Sequence, residues 1–181
     1  MSRIDNIKIY IDEAGTAASS IDTSNVFDGQ ITSVSRSGGE ESVESEAAFN
    51  GFIRNKPPRS IIEWSMDLAP TEGNDVDWTS FLYGEDTDVG STDPVYTSSI
   101  SPSDKLVVIE EYSEGGIVGT HVLDNASVTS PDETNDATDV KRRSLTFSAA
   151  PQTEDGSPNY SYHSNVDVSG LTDLSTLSSS V

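Results

Sequence analysis

The chain contains no cysteine, so disulfide bonds and cysteine-ligated zinc sites are excluded. Basic residues are scarce: 10 Lys and Arg stand against 31 Asp and Glu, for a formal net charge of -21. Such a surface lacks the basic stripe that tight phosphate binding requires. No stretch approaches the ~18 apolar residues of a membrane span, and "MSRIDNIKIYIDEAG" has no apolar run of signal-peptide type. We therefore expect synthesis in the cytoplasm, no membrane partner and no export by the usual secretory route.

Apolar residues are also few, at 33% of the chain. Together with the net charge this would ordinarily indicate disorder, but alternating segments recur along the chain and indicate folded strands instead. A length of 181 residues fits one domain, which we place at 1–170, with a polar tail at 171–181. One interpretation of the acidity is a solvated face. The other is adaptation to molar salt, which shortens the Debye length to ~3 Å and screens the self-repulsion.

Apolar and polar residues alternate in several segments, which predicts β-strands. Ile7, Ile9 and Ile11 share one face of the first such segment. "RSIIEWSMDLAP" places four apolar residues on one face: Ile62, Trp64, Met66 and Leu68. "DKLVVIEEYSEGGIVGTHVLDNASVTS" predicts a hairpin that turns at Gly115–Gly116. Further strands are expected around "VFDGQITSVSRSGG", "TDVKRRSLTFSAAP" and "NYSYHSNVDVSG".

These strands predict an all-β fold, either a β-sandwich or a small barrel. One short flanking α-helix is expected at about 75–83, where Trp78, Phe81 and Leu82 form an apolar stripe and Gly84 suits the helix end. A long hairpin arm is expected at about 38–58, beginning at Gly38–Gly39.

Residues typical of catalytic or metal sites do not form a recognisable constellation. The two histidines, His121 and His163, are interpreted as structural or exposed, and "GGIVG" lacks the helix that a dinucleotide loop needs. Carboxylates cluster at Asp86, Asp88 and Asp93 and again in "DETNDATD", but neither stretch matches a calcium loop. We therefore predict no enzyme activity, no catalytic residues, no metal and no cofactor.

Two basic clusters stand out against the acidic background. Within "AAFNGFIRNKPPRS" apolar residues adjoin three cations, a composition typical of interface cores and anchors. The alternative is that these aromatics fold back onto the chain's own core. Pairing with the acidic surface of identical neighbours would favour register and specificity more than affinity. The predicted subunit-interface residues are Phe49, Phe52, Ile53, Arg54, Lys56, Arg59, Lys141, Arg142 and Arg143.

The order of these features over residues 26–150 resembles the major tail tube protein of long-tailed, siphovirus-like viruses. It begins with "GQITSVSRSGGEESVESEAAFNGFIRNKPPRSIIEWSMDLAP", continues with "DVDWTSFLYG" and ends with "GGIVGTHVLDNASVTSPDETNDATDVKRRSLTFSAA". No single piece is a strict signature, and the order and spacing carry the resemblance. The acidic composition would place the virus on a haloarchaeal host. No further C-terminal domain is evident after Gly170, in contrast to larger relatives.

The resemblance implies a structural virion protein located in the tail. Six copies would form a ring, and rings would stack head to tail into a tube, a contact that does not close on itself. Partners would be identical copies and other tail proteins, while viral DNA would pass without specific binding through a negatively charged lumen. Three other classes remain open: a tail terminator or connector ring of the same fold, a haloarchaeal β-sandwich binding module, and an enzyme.

Overall fold

The computed structural model describes residues 4–24, 26–27, 30–39, 44–48, 51–55, 60–69, 104–128, 132–134, 142–152 and 157–171. Within these ranges the strands are β1 (Asn6–Glu13), β2 (Val26–Phe27), β3 (Gln30–Ser37), β4 (Glu44–Ala48), β5 (Gly51–Asn55), β6 (Ile62–Ala69), β7 (Lys105–Ser113), β8 (Gly116–Val128), β9 (Asp132–Thr134), β10 (Arg142–Ala149) and β11 (Tyr160–Ser164). Two 3₁₀ helices, Ala18–Ser20 and Val168–Gly170, accompany them. The all-β prediction is confirmed, while the helix expected at about 75–83 lies outside the described residues.

Nine strands form one antiparallel sheet in the order β2-β1-β7-β8-β10-β6-β3, with β11 added to β8 and β9 added to β10. The sheet divides at β8. We call the part formed by β2, β1, β7, β8 and β11 sheet A, and the part formed by β10, β6, β3, β9 and the end of β8 sheet B. Neither 3₁₀ helix in the described ranges is long and apolar enough to span a membrane.

Strand β8 crosses from sheet A to sheet B through a β-bulge. Its pairing with β7 shifts register between Leu123 and Ala126, and Asn125 has a positive φ of 50°. Asn159 fixes the bend: its carbonyl accepts from Asp124 N at 2.8 Å, and its side chain accepts from Asn125 Nδ2 at 3.2 Å. Beyond the bulge, Ser127 and Val128 pair with β10. A bulge is the usual device by which one strand serves two sheets.

The main core fills the space between the inner faces of the two sheets. Sheet A contributes alternate residues of β1 and β7, including Ile9, Val107 and Ile109, each fully buried. Sheet B contributes Trp64 and Phe147. The further members are Ile7, Ile11, Ile62, Met66, Leu123, Ala126, Leu145 and Ala149. The alternation of Ile7, Ile9 and Ile11, and of Ile62, Trp64 and Met66, is confirmed, and the arrangement is that of a β-sandwich.

A second cluster covers the outer face of sheet A. Tyr10, Leu106, Val108 and Val122 point outward from the strands and are buried by Ala18 and Ile21 near one 3₁₀ helix and by Val168 and Leu171 at the other. The carboxyl group of Glu110 is 1% exposed and accepts three hydrogen bonds, from Tyr10 Oη at 2.9 Å, Tyr112 Oη at 2.8 Å and Val168 N at 2.6 Å. The centre of sheet A, formed by β1, β7 and β8, is thus buried on both faces.

The hairpin predicted around Gly115–Gly116 is confirmed. Strands β7 and β8 are joined by Glu114 and Gly115, with φ of 52° and 77°. Positive φ at both central residues is the mark of a type I′ turn, whose twist matches that of the flanking strands.

The arm expected at about 38–58 contains a separate hairpin. Strands β4 and β5 pair from Glu44 opposite Asn55 to Ala48 opposite Gly51 and form a two-stranded sheet of their own. The chain leaves β3 through Gly38, whose φ is 83°. A Cβ atom there would overlap the carbonyl oxygen of Ile61, so only glycine fits this exit.

Candidate interaction surfaces

The outer face of sheet B carries small polar side chains in three rows across β3, β6 and β10. Strand register defines these rows, which we call the polar face: Ser33–Asp67–Ser144, Ser35–Ser65–Thr146 and Ser37–Glu63–Ser148. All nine residues bear a hydroxyl or a carboxyl group, and none bears a positive charge. The alternation that buries Trp64 and Phe147 therefore puts this set on the opposite side of the same strands.

Hydrogen bonds tie the rows together across the strands. The two Asp67 oxygens accept from Ser33 Oγ at 2.7 Å and Ser144 Oγ at 2.6 Å. The hydroxyl oxygens of Ser65 and Thr146 lie 3.0 Å apart, and a further bond of 3.3 Å joins Ser148 Oγ to Ser127 Oγ on β8. Such cross-strand pairs stabilise a solvated sheet face without apolar burial.

A second feature lies where the main core opens to solvent, on the inner side of both sheets. A cavity of about 580 Å³, which we call the mouth pocket, has a lining from five strands: Val34, Arg36, Trp64, Glu111, His121, Tyr160 and Tyr162. Its position follows from the register, because His121 and Tyr162 pair across β8 and β11 on sheet A while Arg36 and Trp64 pair across β3 and β6 on sheet B.

His121 is the centre of the mouth pocket. It is buried, with its ring 4.6 Å from the Trp64 ring and 4.6 Å from the Tyr162 ring. Its Nδ1 and the Tyr160 hydroxyl are hydrogen bonded at 2.8 Å, and its Nε2 lies 3.5 Å from Glu111 Oε2. The interpretation of His121 as structural agrees with these contacts, although the pocket around it had no signal in the sequence.

Arg36 and Tyr160 also line this pocket and contact each other. The guanidinium carbon of Arg36 lies 5.2 Å from the centre of the Tyr160 ring, a cation–π distance. Burial raises the pKa of Tyr160 above its usual 10.0, and Glu111 and Tyr162 add to that rise while Arg36 opposes it. The Tyr160 hydroxyl is therefore protonated at neutral pH and can donate in its hydrogen bond with His121 Nδ1.

Tyr162 packs against the backbone of β8 at residue 119, which is glycine. A Cβ atom on Gly119 would overlap the Tyr162 ring. The ring remains 47% exposed, and its hydroxyl reaches Val118 O at a long 3.4 Å. An aromatic ring packed on a cross-strand glycine is a known device of antiparallel sheets, and here that ring lines the pocket.

The first predicted interface cluster belongs to the hairpin arm. Phe52, Ile53 and Arg54 lie in β5, opposite Ala47, Glu46 and Ser45 of β4. Phe49, Lys56 and Arg59 lie outside the described residues. The structure thus brings three of these residues onto one strand of the hairpin, and their role in an interface stays a prediction.

The second predicted cluster is at the start of β10. Arg142 and Arg143 pair with Thr134 and Glu133 of β9, and Lys141 lies outside the described residues. The carboxylate clusters considered for calcium fall mostly outside them as well, apart from Asp132 and Glu133 in β9. Across the part of the chain that is described, no group of three or more His, Asp or Glu could hold a metal ion.

No protein family model and no curated protein sequence matches the chain. Solved structures do share its fold. One is a chain of the sheath–tube complex of an extracellular contractile injection system, PVC, in the extended state, with a TM-score of 0.55 and 13% identity over 91% of this chain and 92% of that one. Another is a chain of the sheath/tube terminator of that system, with a TM-score of 0.53 and 12% identity over 90% and 96%. The likeness extends over nearly the whole of each chain.

Proposed function

We propose that this chain is the structural subunit of a virion tail tube, assembling into stacked hexameric rings through which viral DNA passes. The observation that carries the proposal is the fold, shared over 91% of the chain with a component of a sheath–tube complex. In this proposal residues 1–170 are the ring-forming domain and 171–181 a polar tail. The chain acts without enzymatic chemistry, is made in the host cytoplasm and resides in the virion tail.

The polar face supports a lumen-lining role for sheet B. DNA passes a surface without adhering when that surface offers phosphates few cations, and the nine residues of this face include Asp67 and Glu63 but no Lys or Arg. The next residue on the same side of β10, beyond these rows, is Arg142. Its hydroxyl groups are occupied in part by bonds to neighbouring strands, such as those of Ser33 and Ser144 to Asp67. In the ring, this face would turn inward.

The edge of sheet B supports assembly of such rings. Strand β3 is the last strand in the described order, and among the described residues one side of its backbone has no partner strand, so it could pair with a strand of another copy. The separate β4–β5 hairpin would reach the neighbouring subunit or ring, bringing the basic and apolar residues of the arm against acidic surface. Contacts of this kind at both ends of the ring would propagate a filament.

A tail terminator or connector ring is the second candidate, because the fold is shared equally well with a sheath/tube terminator chain. A siphovirus-like tail and a haloarchaeal host are the finer parts of the proposal. They are supported by the resemblance in the sequence and by the net charge of -21, respectively.

Negative-stain electron microscopy of the purified protein in molar salt, over a concentration series, tests the proposal. Long hollow tubes with regular striations are expected. Isolated rings would favour the terminator or connector. Particles that remain monomeric at every concentration, even with a preformed tail tip added as a nucleus, would contradict both.

A further inference from the structure

We propose that the mouth pocket binds an acidic side chain presented by a second copy of this chain. The inference rests on the proposed function for how copies meet, but the pocket's own chemistry can be tested in the monomer. Three of the side chains that line its space of about 580 Å³ carry hydrogen-bond donors: Arg36, Trp64 and Tyr162.

Trp64 gives the sharpest indication. The residue is 2% exposed, and in the described part of the chain its Nε1 is the one buried side-chain nitrogen or oxygen that lacks a hydrogen-bond partner. An indole N–H can only donate. A buried donor without an acceptor is costly, and Trp64 is among the residues that line the pocket, so a bound ligand that reaches this nitrogen would remove that cost.

Arg36 fixes the charge of that ligand. Its guanidinium is exposed and lies over the Tyr160 ring, and within the described ranges no carboxylate forms an ion pair with it. The aromatic rings could also receive a cation, but Arg36 already lies against Tyr160 and would repel a second one. A carboxylate, by contrast, would satisfy Arg36 and supply an acceptor for Trp64.

Glu111 is the only acid among the lining residues, and it determines where an anion can sit. Its carboxylate lies 3.5 Å from His121 Nε2, on the histidine side of the pocket. An incoming carboxylate is therefore expected beside Arg36, with Glu111 opposing it. Neutralising Glu111 should strengthen binding, whereas neutralising Arg36 should weaken it.

A second copy is the partner because it is the acidic surface that tube assembly would place nearest. Each copy carries 31 Asp and Glu, including the runs "EESVESE" at 40–46 and "DETNDATD" at 132–139. Trp and Arg are also the residue types that most often dominate the energetics of protein interfaces.

The test follows the indole N–H resonance of Trp64 by NMR, in a Trp78→Phe background where Trp64 is the only tryptophan. Blocked peptides with the sequences EESVESE and DETNDATD are titrated at moderate salt, beside controls in which every Asp and Glu is Asn or Gln. We expect a saturable shift with at least one acidic peptide and none with the controls. Affinity should fall about tenfold in Arg36→Gln and rise in Glu111→Gln.

Two results would overturn the inference: no shift with either acidic peptide, or shifts that Arg36→Gln leaves unchanged. Sedimentation of wild-type protein and Arg36→Gln separates this result from the proposed function. If the wild type never assembles but binds an acidic peptide, the proposed tube function is contradicted and the proposed binding in the mouth pocket is retained. If the Arg36→Gln variant assembles as well as the wild type, the proposed binding in the mouth pocket is overturned and the proposed tube function is retained.

Discussion

Gly15 and Gly38 have the same backbone φ angle, but glycine is required at the two positions for different physical reasons. Gly15 and Gly38 both have φ of 83°, a conformation that costs other residues roughly 1–2 kcal/mol. A Cβ atom on Gly15 would have no heavy atom within 4 Å, whereas a Cβ atom on Gly38 would overlap backbone atoms of Ile61. Gly38 is therefore constrained by space as well as by angle, at the point where the arm leaves sheet B.

Gly38→Ala should destabilise the domain by more than Gly15→Ala does. For Gly15→Ala we expect a loss of about 1 kcal/mol from the backbone angle alone, and for Gly38→Ala a loss of about 3 kcal/mol or more because backbone atoms must also move. Urea denaturation measures both, with Gly15→Ala as the matched control. Equal losses would mean that the β3 exit adjusts freely and does not fix the arm.

His163 gives the stability a pH dependence with a defined sign. It is half-buried, with Nε2 hydrogen bonded to Ser161 Oγ at 2.8 Å, and burial lowers its pKa below the usual 6.5. The folded protein therefore holds this proton less tightly than the unfolded chain does. Its contribution to stability is complete above pH 6.5 and is lost as the pH falls through the lowered pKa.

His163→Gln should flatten this dependence. Glutamine does not titrate and can keep a hydrogen bond to Ser161, so the variant should lose less stability than the wild type between about pH 7 and about pH 5. Urea denaturation at several pH values measures the free energy of unfolding of both proteins. Because both contain the same carboxylates, the contribution of those groups cancels in the difference between the two. Parallel pH profiles would show that His163 is not desolvated.

At the scale of elements, the strands with local alternation could be predicted and the contacts between distant strands could not. Period-2 patterns identified β1 and β6, and Gly115 marked the β7–β8 turn, because each signal lies within one short segment. The division of β8 between two sheets depends on a bulge at Asn125 that Asn159 secures, a contact across 34 residues. Only the 13-residue length of β8 could have suggested it.

The mouth pocket was missed for the same reason. Its residues come from β3, β6, β7, β8 and β11, and none of these segments contains a motif. In the sequence, Arg36 is a single charge in a serine-rich strand, and Gly119 belongs to a segment that is interpreted as a turn. Only the structure shows that Tyr162 packs against Gly119. The polar face, in contrast, could be predicted from the sequence. It consists of the residues that alternate with the buried apolar residues of β6 and β10.

The C-terminal 3₁₀ helix is held to sheet A by Glu110. Glu110→Gln should destabilise the fold by about 2 kcal/mol, because the amide cannot accept all three hydrogen bonds from Tyr10, Tyr112 and Val168. Amide hydrogen exchange at Val168 should accelerate in the variant. Glu63→Gln, at an exposed position on β6, is the control and should change stability little. Unchanged exchange at Val168 would mean that the apolar contacts of Val168 and Leu171 are enough to hold the 3₁₀ helix to sheet A.

At the scale of the whole molecule, the basic residues are too few to neutralise the surface. Their grouping is therefore more informative than their number. Three of the ten Lys and Arg fall at Arg54, Lys56 and Arg59, in or just after the β5 strand of the arm. If identical copies meet through this arm, those three charges contact a surface of the opposite sign.

Reversal of Arg54, Lys56 and Arg59 to Glu should prevent assembly while the monomer stays folded. Like charges across a contact are repulsive, and the arm hairpin forms a sheet separate from the nine-stranded one. Electron microscopy measures assembly, and circular dichroism with thermal melts measures the fold. The same three residues changed to Gln are the control and should weaken assembly less. Normal tubes from the Glu variant would exclude the arm as an interface.

Salt should stabilise this protein more than it does a neutral one, if the acidity is an adaptation to a saline host. With 31 Asp and Glu against 10 Lys and Arg, repulsion between carboxylates opposes the compact state in dilute buffer. Raising KCl from ~0.1 M to ~1 M shortens the Debye length from ~10 Å to ~3 Å, so the melting temperature should rise over that interval. Potassium sulfate at matched ionic strength separates screening from strengthened apolar burial, since sulfate adds the second effect. If the melting temperature is constant in KCl and rises only in sulfate, the net charge does not limit stability. The acidic composition would then no longer support the hypothesis of a halophilic host.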